Sequence, residues 1–127
     1  MAASPLEIVK SVIDAIMRKD FDLAFNYFDE NVQYTNIALR SAFGKSDARA
    51  LVERLFAPTL ASETRYIRFA VDEICTFIER VDRHRLSSGW VELPVVGVFE
   101  FRDGRISVWR DYLDRQPLLD HWPTPLE

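Results

Sequence analysis

From Thr64 onward the chain changes period. Residues 64–74, 76–86, 90–101 and 105–114 each alternate in twos and are rich in β-branched and aromatic side chains. Only short turns divide them: one near Cys75, then Ser87-Ser88-Gly89, then Arg102-Asp103-Gly104, whose Asp-Gly pair is a strong hairpin signal. Parallel strands need crossovers of a dozen residues or more, so four strands this closely spaced run as an antiparallel meander. Pro94 inside the third of them predicts a sheet edge or a bulge.

Before Thr64 the spacing is helical. Ser4-Pro5 with Glu7 supplies an N-cap, a proline at the first helical position and an acid at the third. Leu6, Val9, Ile13 and Ile16 then recur on one face, broadened by Ile8 and Val12, which predicts a helix over 5–18. Asp20 caps a short second helix over 21–28, residues 31–36 read as a strand, and a loop containing Gly44 follows. Ser46 caps a third helix that runs to about Phe56, where Pro58 stops it. Pro117 and Pro123 mark a tail with at most one helical turn. Helices first and a meander afterwards define an α+β protein. Three helices from the N-terminal half, packed on one strongly curved sheet, would enclose a deep, cone-shaped pocket.

The length of 127 residues fits one domain, 1–127, able to bury roughly two-thirds of its unfolded surface. A net charge of −4 without a basic stripe argues against nucleic acid. No apolar run approaches the ~18–20 residues of a membrane span. The N-terminus lacks a positive segment followed by an apolar one, so a cytoplasmic location is the expectation. Cys75 is the single cysteine and reads as a small buried thiol; with only His84 and His121 beside it, no metal site is expected. Neither a Gly-x-Ser-x-Gly elbow nor a glycine-rich phosphate loop is present.

Several polar residues do not belong where the pattern puts them. In 104–114, GRISVWRDYLD, Ile106 and Val108 project one way; Ser107, Trp109, Asp111 and Leu113 project the other. A carboxylate between two large apolar side chains is out of place on a strand face. In 78–86, Arg80, Asp82 and His84 share a face. A strand paired near 105–114 would bring Arg80 and Asp82 to Asp111, giving two carboxylates joined through an arginine by charge-assisted hydrogen bonds. Tyr34 and Asn36, two apart on the early strand, project together, and a phenol beside an amide can hold one water. The competing structural readings are a surface salt bridge for the charged set and a core tyrosine with a satisfied hydroxyl for Tyr34. His84 reads as solvated or as part of a pocket rim.

Four motifs, ERVD (79–82), GVFEF-x-D-G-R-I (97–106), WRDYLD (109–114) and YTN (34–36), resemble the limonene-1,2-epoxide hydrolase family, within the folds shaped like nuclear transport factor 2. The resemblance runs from about residue 6 to residue 114. It implies a mixed, mostly antiparallel sheet and hydrolysis of a small apolar epoxide by water in one step, with neither cofactor nor covalent intermediate. By position it makes Asp111 the general base, Tyr34 and Asn36 the holders of the attacked water, Asp82 the general acid, and Arg80 the link between the carboxylates. It also implies a homodimer formed through the sheet. By parity and resemblance, Ile13, Ile16, Leu55, Leu93, Val95 and Leu113 line the pocket. His84 departs from the apolar residue expected there, and Thr59 and Arg65 are expected to add polarity near the mouth. Two other readings use the same fold: an isomerase or dehydratase with His84 and Asp82 as base, and a non-catalytic binding or dimerisation module whose charged triad is an exposed ion pair.

Overall fold

The structure, a computed structural model, describes residues 3–123. Helix α1 (Pro5–Met17) begins as the sequence dictates: Ser4 Oγ accepts from the Glu7 amide while the Glu7 carboxylate accepts from the Ser4 amide. Its buried face is Ile8, Val9, Val12, Ile13, Ala15 and Ile16. Helix α2 is shorter than expected, Phe21–Phe25, because Phe28 leaves the helix to start β1 (Phe28–Asn36). There Phe28 stacks on Phe25 at 4.4 Å between ring centroids and packs against Trp109. Strand β2 (Arg40–Phe43) occupies what the pattern leaves as loop; only Ala42 of its four residues is buried, so no alternation is visible.

Helix α3 (Lys45–Phe56) starts one residue before Ser46, so Ser46 is in the first turn and does not cap it. The cap is Gly44, whose φ of 89° suits glycine and whose amide donates to Val32 O of β1 at 2.8 Å. Strands β3 (Ala61–Val71), β4 (Cys75–Leu86), β5 (Gly89–Arg102) and β6 (Arg105–Tyr112) form the expected meander. The first turn falls at 72–74, just ahead of Cys75, where Asp72 Oδ1 accepts the amides of Ile74 and Cys75. Cys75 itself is half-buried and not core. Asp103 and Gly104 both have positive φ, the pairing a tight two-residue hairpin requires. Helix α4 (Gln116–His121) is longer than the single turn expected of the tail and carries Pro117 in its first turn.

The six strands form one mixed sheet in the order β2-β1-β6-β5-β4-β3, antiparallel throughout except for β1 beside β6. With α1, α2 and α3 ahead of the meander, this is the α+β fold shaped like nuclear transport factor 2. Helix α1 packs on β3 and β4, and α3 on β1 and β2. Pro94 lies opposite Val81 of β4, beyond the point where β6 ends against Val96, so that stretch of β5 has a neighbour on one side only, as the proline requires. Among the described residues no helix is long and apolar enough to cross a membrane.

One parity assignment changes. The register between β5 and β6 jumps from Glu100–Val108 to Phe101–Ile106, and the β1 pairing of β6 shifts over the same stretch. Ser107 is the extra residue, and its hydroxyl donates to Glu100 O at 3.2 Å. This bulge turns Ile106 onto the same buried face as Trp109 and Asp111, leaving Val108 half-buried. Ile106→Ala is therefore expected to cost about 2–5 kcal/mol in denaturant unfolding. Val108→Ala is expected to cost under about 1.5 kcal/mol. Equal losses would contradict the bulged register.

Candidate active site

Strand β4 presents Arg80, Asp82 and His84 to the interior in succession, all buried. Arg80 Nε donates to Asp82 Oδ1 at 3.0 Å, and Arg80 Nη2 donates to Asp111 Oδ2, also at 3.0 Å. The binding-module reading requires this triad to be solvent-exposed. Instead, the arginine side chain is 2% exposed and each carboxylate 9%.

Strands β4 and β6 are not neighbours, contrary to the simplest pairing. Strand β5 runs between them, so the guanidinium crosses a gap of two strand spacings, about 9.5 Å. It crosses at Gly97, which pairs with Ile78 on one side and with Asp111 on the other. A Cβ on residue 97 would lie 2.7 Å from Arg80 Nη1, 2.9 Å from Phe99 Cε1 and 3.0 Å from Asp111 Oδ1. Glycine is what leaves room for the bridge. Arg80 Nη1, over that gap, is buried without an acceptor among the described residues.

The two carboxyl groups are held differently. Asp111 accepts one hydrogen bond on each oxygen, from Arg80 and from Trp109 Nε1 at 2.7 Å, an arrangement suited to an anion. Asp82 takes both of its donors, Arg80 Nε and Thr64 Oγ1, on Oδ1. Its Oδ2 has no partner among the described residues. Burial pushes the Asp111 carboxyl above the usual range, partly opposed by the Arg80 charge. Burial also works against the Arg80 cation, but the two carboxylates outweigh it and hold the guanidinium charged.

Strand β1 brings Tyr34 and Asn36 beside this chain through its parallel pairing with β6, Tyr34 opposite Trp109 and Asn36 opposite Asp111. The Asn36 Oδ1 accepts the Ala38 amide at 3.0 Å, which leaves its NH₂ toward the Tyr34 hydroxyl. Burial, followed by the Asp111 charge, raises the Tyr34 pKa, so the side chain stays a phenol. All these residues line one cavity with Ile13, Ile16, Leu55, Leu93, Val95 and Leu113. The space open to the centre of a water molecule is about 30 Å³. One water needs roughly 10–15 Å³ by that measure.

The sequence reading misses Met17, Val52 and Phe56 in the cavity wall, the Trp109 indole as donor to Asp111, and Gly97. Helical spacing from Ile13 and Ile16 points to Met17, and α3 parity points to Val52; the roles of Gly97 and Trp109 need the sheet order. Thr59 is buried at the end of α3, donating to Phe56 O, and Arg65 is exposed on β3, so neither lines the cavity. His84 is neither solvated nor at a rim: it is 2% exposed and its ring stands edge-on to Phe56 and Trp122. No group of three His, Cys, Asp or Glu residues among the described residues is placed to hold a metal ion.

Comparison with known proteins bears on this arrangement. The family model for the limonene-1,2-epoxide hydrolase catalytic domain matches residues 3–124. Epoxide hydrolase EphG of Mycobacterium tuberculosis is 29% identical over 106 residues, which cover 84% of this chain and 70% of that protein. A solved M. tuberculosis epoxide hydrolase of the same type superposes with a TM-score of 0.76 at 27% identity, over 90% of this chain and 85% of the other. An NTF2-like protein of unknown function from Burkholderia pseudomallei K96243 reaches a TM-score of 0.82 at 16% identity, over 94% and 97% of the two chains, a likeness of fold alone.

Two expectations follow from the geometry. Gly97→Ala forces Arg80 or Asp111 to move, and overpacking of this kind costs about 1–3 kcal/mol. Thermal unfolding and loss of turnover should both register it; an unchanged variant would mean the bridge is not confined at residue 97. For His84, burial lowers the imidazole pKa below its ordinary 6.5. The unfolded chain therefore binds the proton more readily, and the stability His84 contributes is present above pH 6.5 and lost as pH falls below it. Relative to His84→Gln, the parent should lose denaturant stability on acidification through that range. Parallel pH curves for the two proteins would contradict the buried, neutral imidazole.

Proposed function

We propose how this chain, which belongs to the limonene-1,2-epoxide hydrolase family and is an epoxide hydrolase, carries out its reaction: it converts a small cyclic or terpene-like epoxide to the vicinal diol by direct attack of water, without a covalent intermediate. The observation that carries the proposal is the buried chain Asp82–Arg80–Asp111, with donors on both oxygens of Asp111 and on one oxygen only of Asp82.

In this reading Tyr34 donates to the oxygen of a water with Asn36 beside it, the water donates to Asp111, and its remaining lone pair faces the epoxide carbon. As the new carbon–oxygen bond forms, Asp111 takes a proton from the water. At the same moment Asp82 Oδ2 gives a proton to the epoxide oxygen, whose bond to the attacked carbon breaks. One proton leaves the carboxyl pair and one arrives, so the pair ends with the number it began with. Burial favours a proton-avid Asp111, in keeping with the base role. Arg80 keeps the pair in register through its planar fork. The apolar wall takes the hydrocarbon part of the substrate; Met17 and Leu113, only partly buried, are the wall residues free to swing aside for a guest larger than water.

Further features of this reading are a strongly curved sheet around a deep pocket and a homodimer. The register shifts in β1, β3 and β6 support the curvature. On the opposite face of the sheet, Ile67, Pro94, Val96 and Tyr112 line a shallow hollow, and Ile67, Val96 and Tyr112 are largely exposed, a surface suited to a second copy.

The test is a kinetic series with a single turnover in ¹⁸O-water. Asp111→Asn and Asp82→Asn should each reduce turnover by about 10²–10⁴-fold. Their effects should not add, because the two act in one step. With enzyme in excess, the diol should carry label from the first turnover and the protein none. Unlabelled oxygen in the diol, with label appearing on an aspartate peptide, would mean an ester intermediate and would overturn the direct attack.

A further inference from the structure

His84 is the one polar residue of the cavity wall that the proposed hydrolysis does not use. Its imidazole is clamped edge-on between Phe56 and Trp122, at 5.1 and 5.6 Å between centroids. The Trp122 indole is itself anchored to Leu55 O at 2.8 Å. One ring nitrogen is committed: Nδ1 lies 2.8 Å from Ser62 Oγ, the cross-strand partner on β3. The other, Nε2, has no hydrogen-bond partner among the described residues. It is not sealed in, because the only buried side-chain polar atoms enclosed without a partner there are Arg80 Nη1 and Arg83 Nε. For a residue 2% exposed that lines the cavity, the open space beside Nε2 is the cavity itself.

From this tethered ring with one free nitrogen set between aromatic side chains, we infer that His84 is a specificity determinant for epoxides that carry a hydroxyl group away from the ring oxygen. The inference rests on the hydrolase reading for the position of the epoxide. His84 and Asp82 are two residues apart on one strand face, about 6.6 Å. A substrate whose epoxide oxygen meets Asp82 Oδ2 thus reaches Nε2 with a substituent across a six-membered ring. Burial holds the imidazole neutral, so Nε2 is a donor in one tautomer and an acceptor in the other, set by which way the Ser62 hydroxyl points. A hydroxyl satisfies either tautomer, whereas a carbonyl or ether oxygen satisfies only one. A purely hydrocarbon substituent leaves a desolvated nitrogen without a partner, and that is the source of discrimination.

The experiment uses two cyclohexene oxides bearing, across the ring from the epoxide, either an isopropyl group or the same group with one hydroxyl on its central carbon. The parent protein should favour the hydroxylated compound in kcat/KM by about 3–10-fold, the range of one buried hydrogen bond. His84→Leu should reverse the preference, and His84→Met, a flexible filler, gives the same reading if the leucine variant does not fold. His84→Gln, which keeps a polar group in place, should retain it. Calorimetric titration with the two corresponding hydrolysis products, a diol and a triol, reads the same discrimination without any chemistry. Binding preference that depends on His84 in a protein that turns over neither epoxide would sustain the hydroxyl site and sink the hydrolase mechanism. Turnover of both epoxides with a preference indifferent to His84 would overturn the hydroxyl site and leave the mechanism standing; equal affinities in the parent would mean that Nε2 is occupied by water and would overturn it too.

Discussion

Two carboxyl groups and one guanidinium share a buried site, and the rest of the structure is arranged around that fact. Fully ionised, the set would carry a net negative charge in a medium where isolated charge costs several kcal/mol after relaxation. Burial accordingly pushes the Asp111 carboxyl above its usual range, against the pull of Arg80. Buried ion pairs of this kind contribute little to stability compared with apolar side chains of equal volume. Arg80 Nη1, buried without an acceptor among the described residues, adds to the cost. The stability that offsets it comes from the apolar face of α1 and from the aromatic packing of Phe25, Phe28, Phe99, Tyr34 and Trp109.

Sheet order explains how so polar a cluster fits inside an apolar wall. Strand β5 separates the strand that carries Arg80 and Asp82 from the one that carries Asp111, and Gly97 is the notch through which they meet. Parallel pairing of β1 with β6 then sets Asn36 level with Asp111 and Tyr34 level with Trp109. The polar groups reach the centre from three strands, β1, β4 and β6, and each of these strands also carries buried apolar residues. The site is therefore walled by the same side chains that form the core.

Much of this was legible from the one-dimensional pattern, and the exceptions have physical causes. The face shared by Arg80, Asp82 and His84 follows from alternation alone, and the six apolar residues assigned to the pocket all line the cavity. Strand β2 was invisible because four residues with one buried side chain carry no period. Ile106 was placed on the wrong face because a single extra residue, Ser107, inverts parity beyond it, and a bulge has no signature in an alternating run. The burial of His84 depends on Trp122, which arrives from the tail across a long separation in sequence. Gly97 looks like any strand glycine until its two neighbours are known.

The parallel pairing of the first and last strands also bears on how the molecule comes into being. Strand β6 inserts between β1 and β5, so β1 and β2 have no place in the sheet until residues 105–112 exist. Contacts this distant in sequence close late and slowly, because the loop entropy must be met before the pairing rewards it. The last strand to arrive carries Asp111, and the strand it anchors carries Tyr34 and Asn36. A partly synthesised chain can therefore hold the β3–β4–β5 meander yet lack Asp111 and the strand that seats Tyr34 and Asn36, so assembly of the buried polar cluster coincides with closure of the topology.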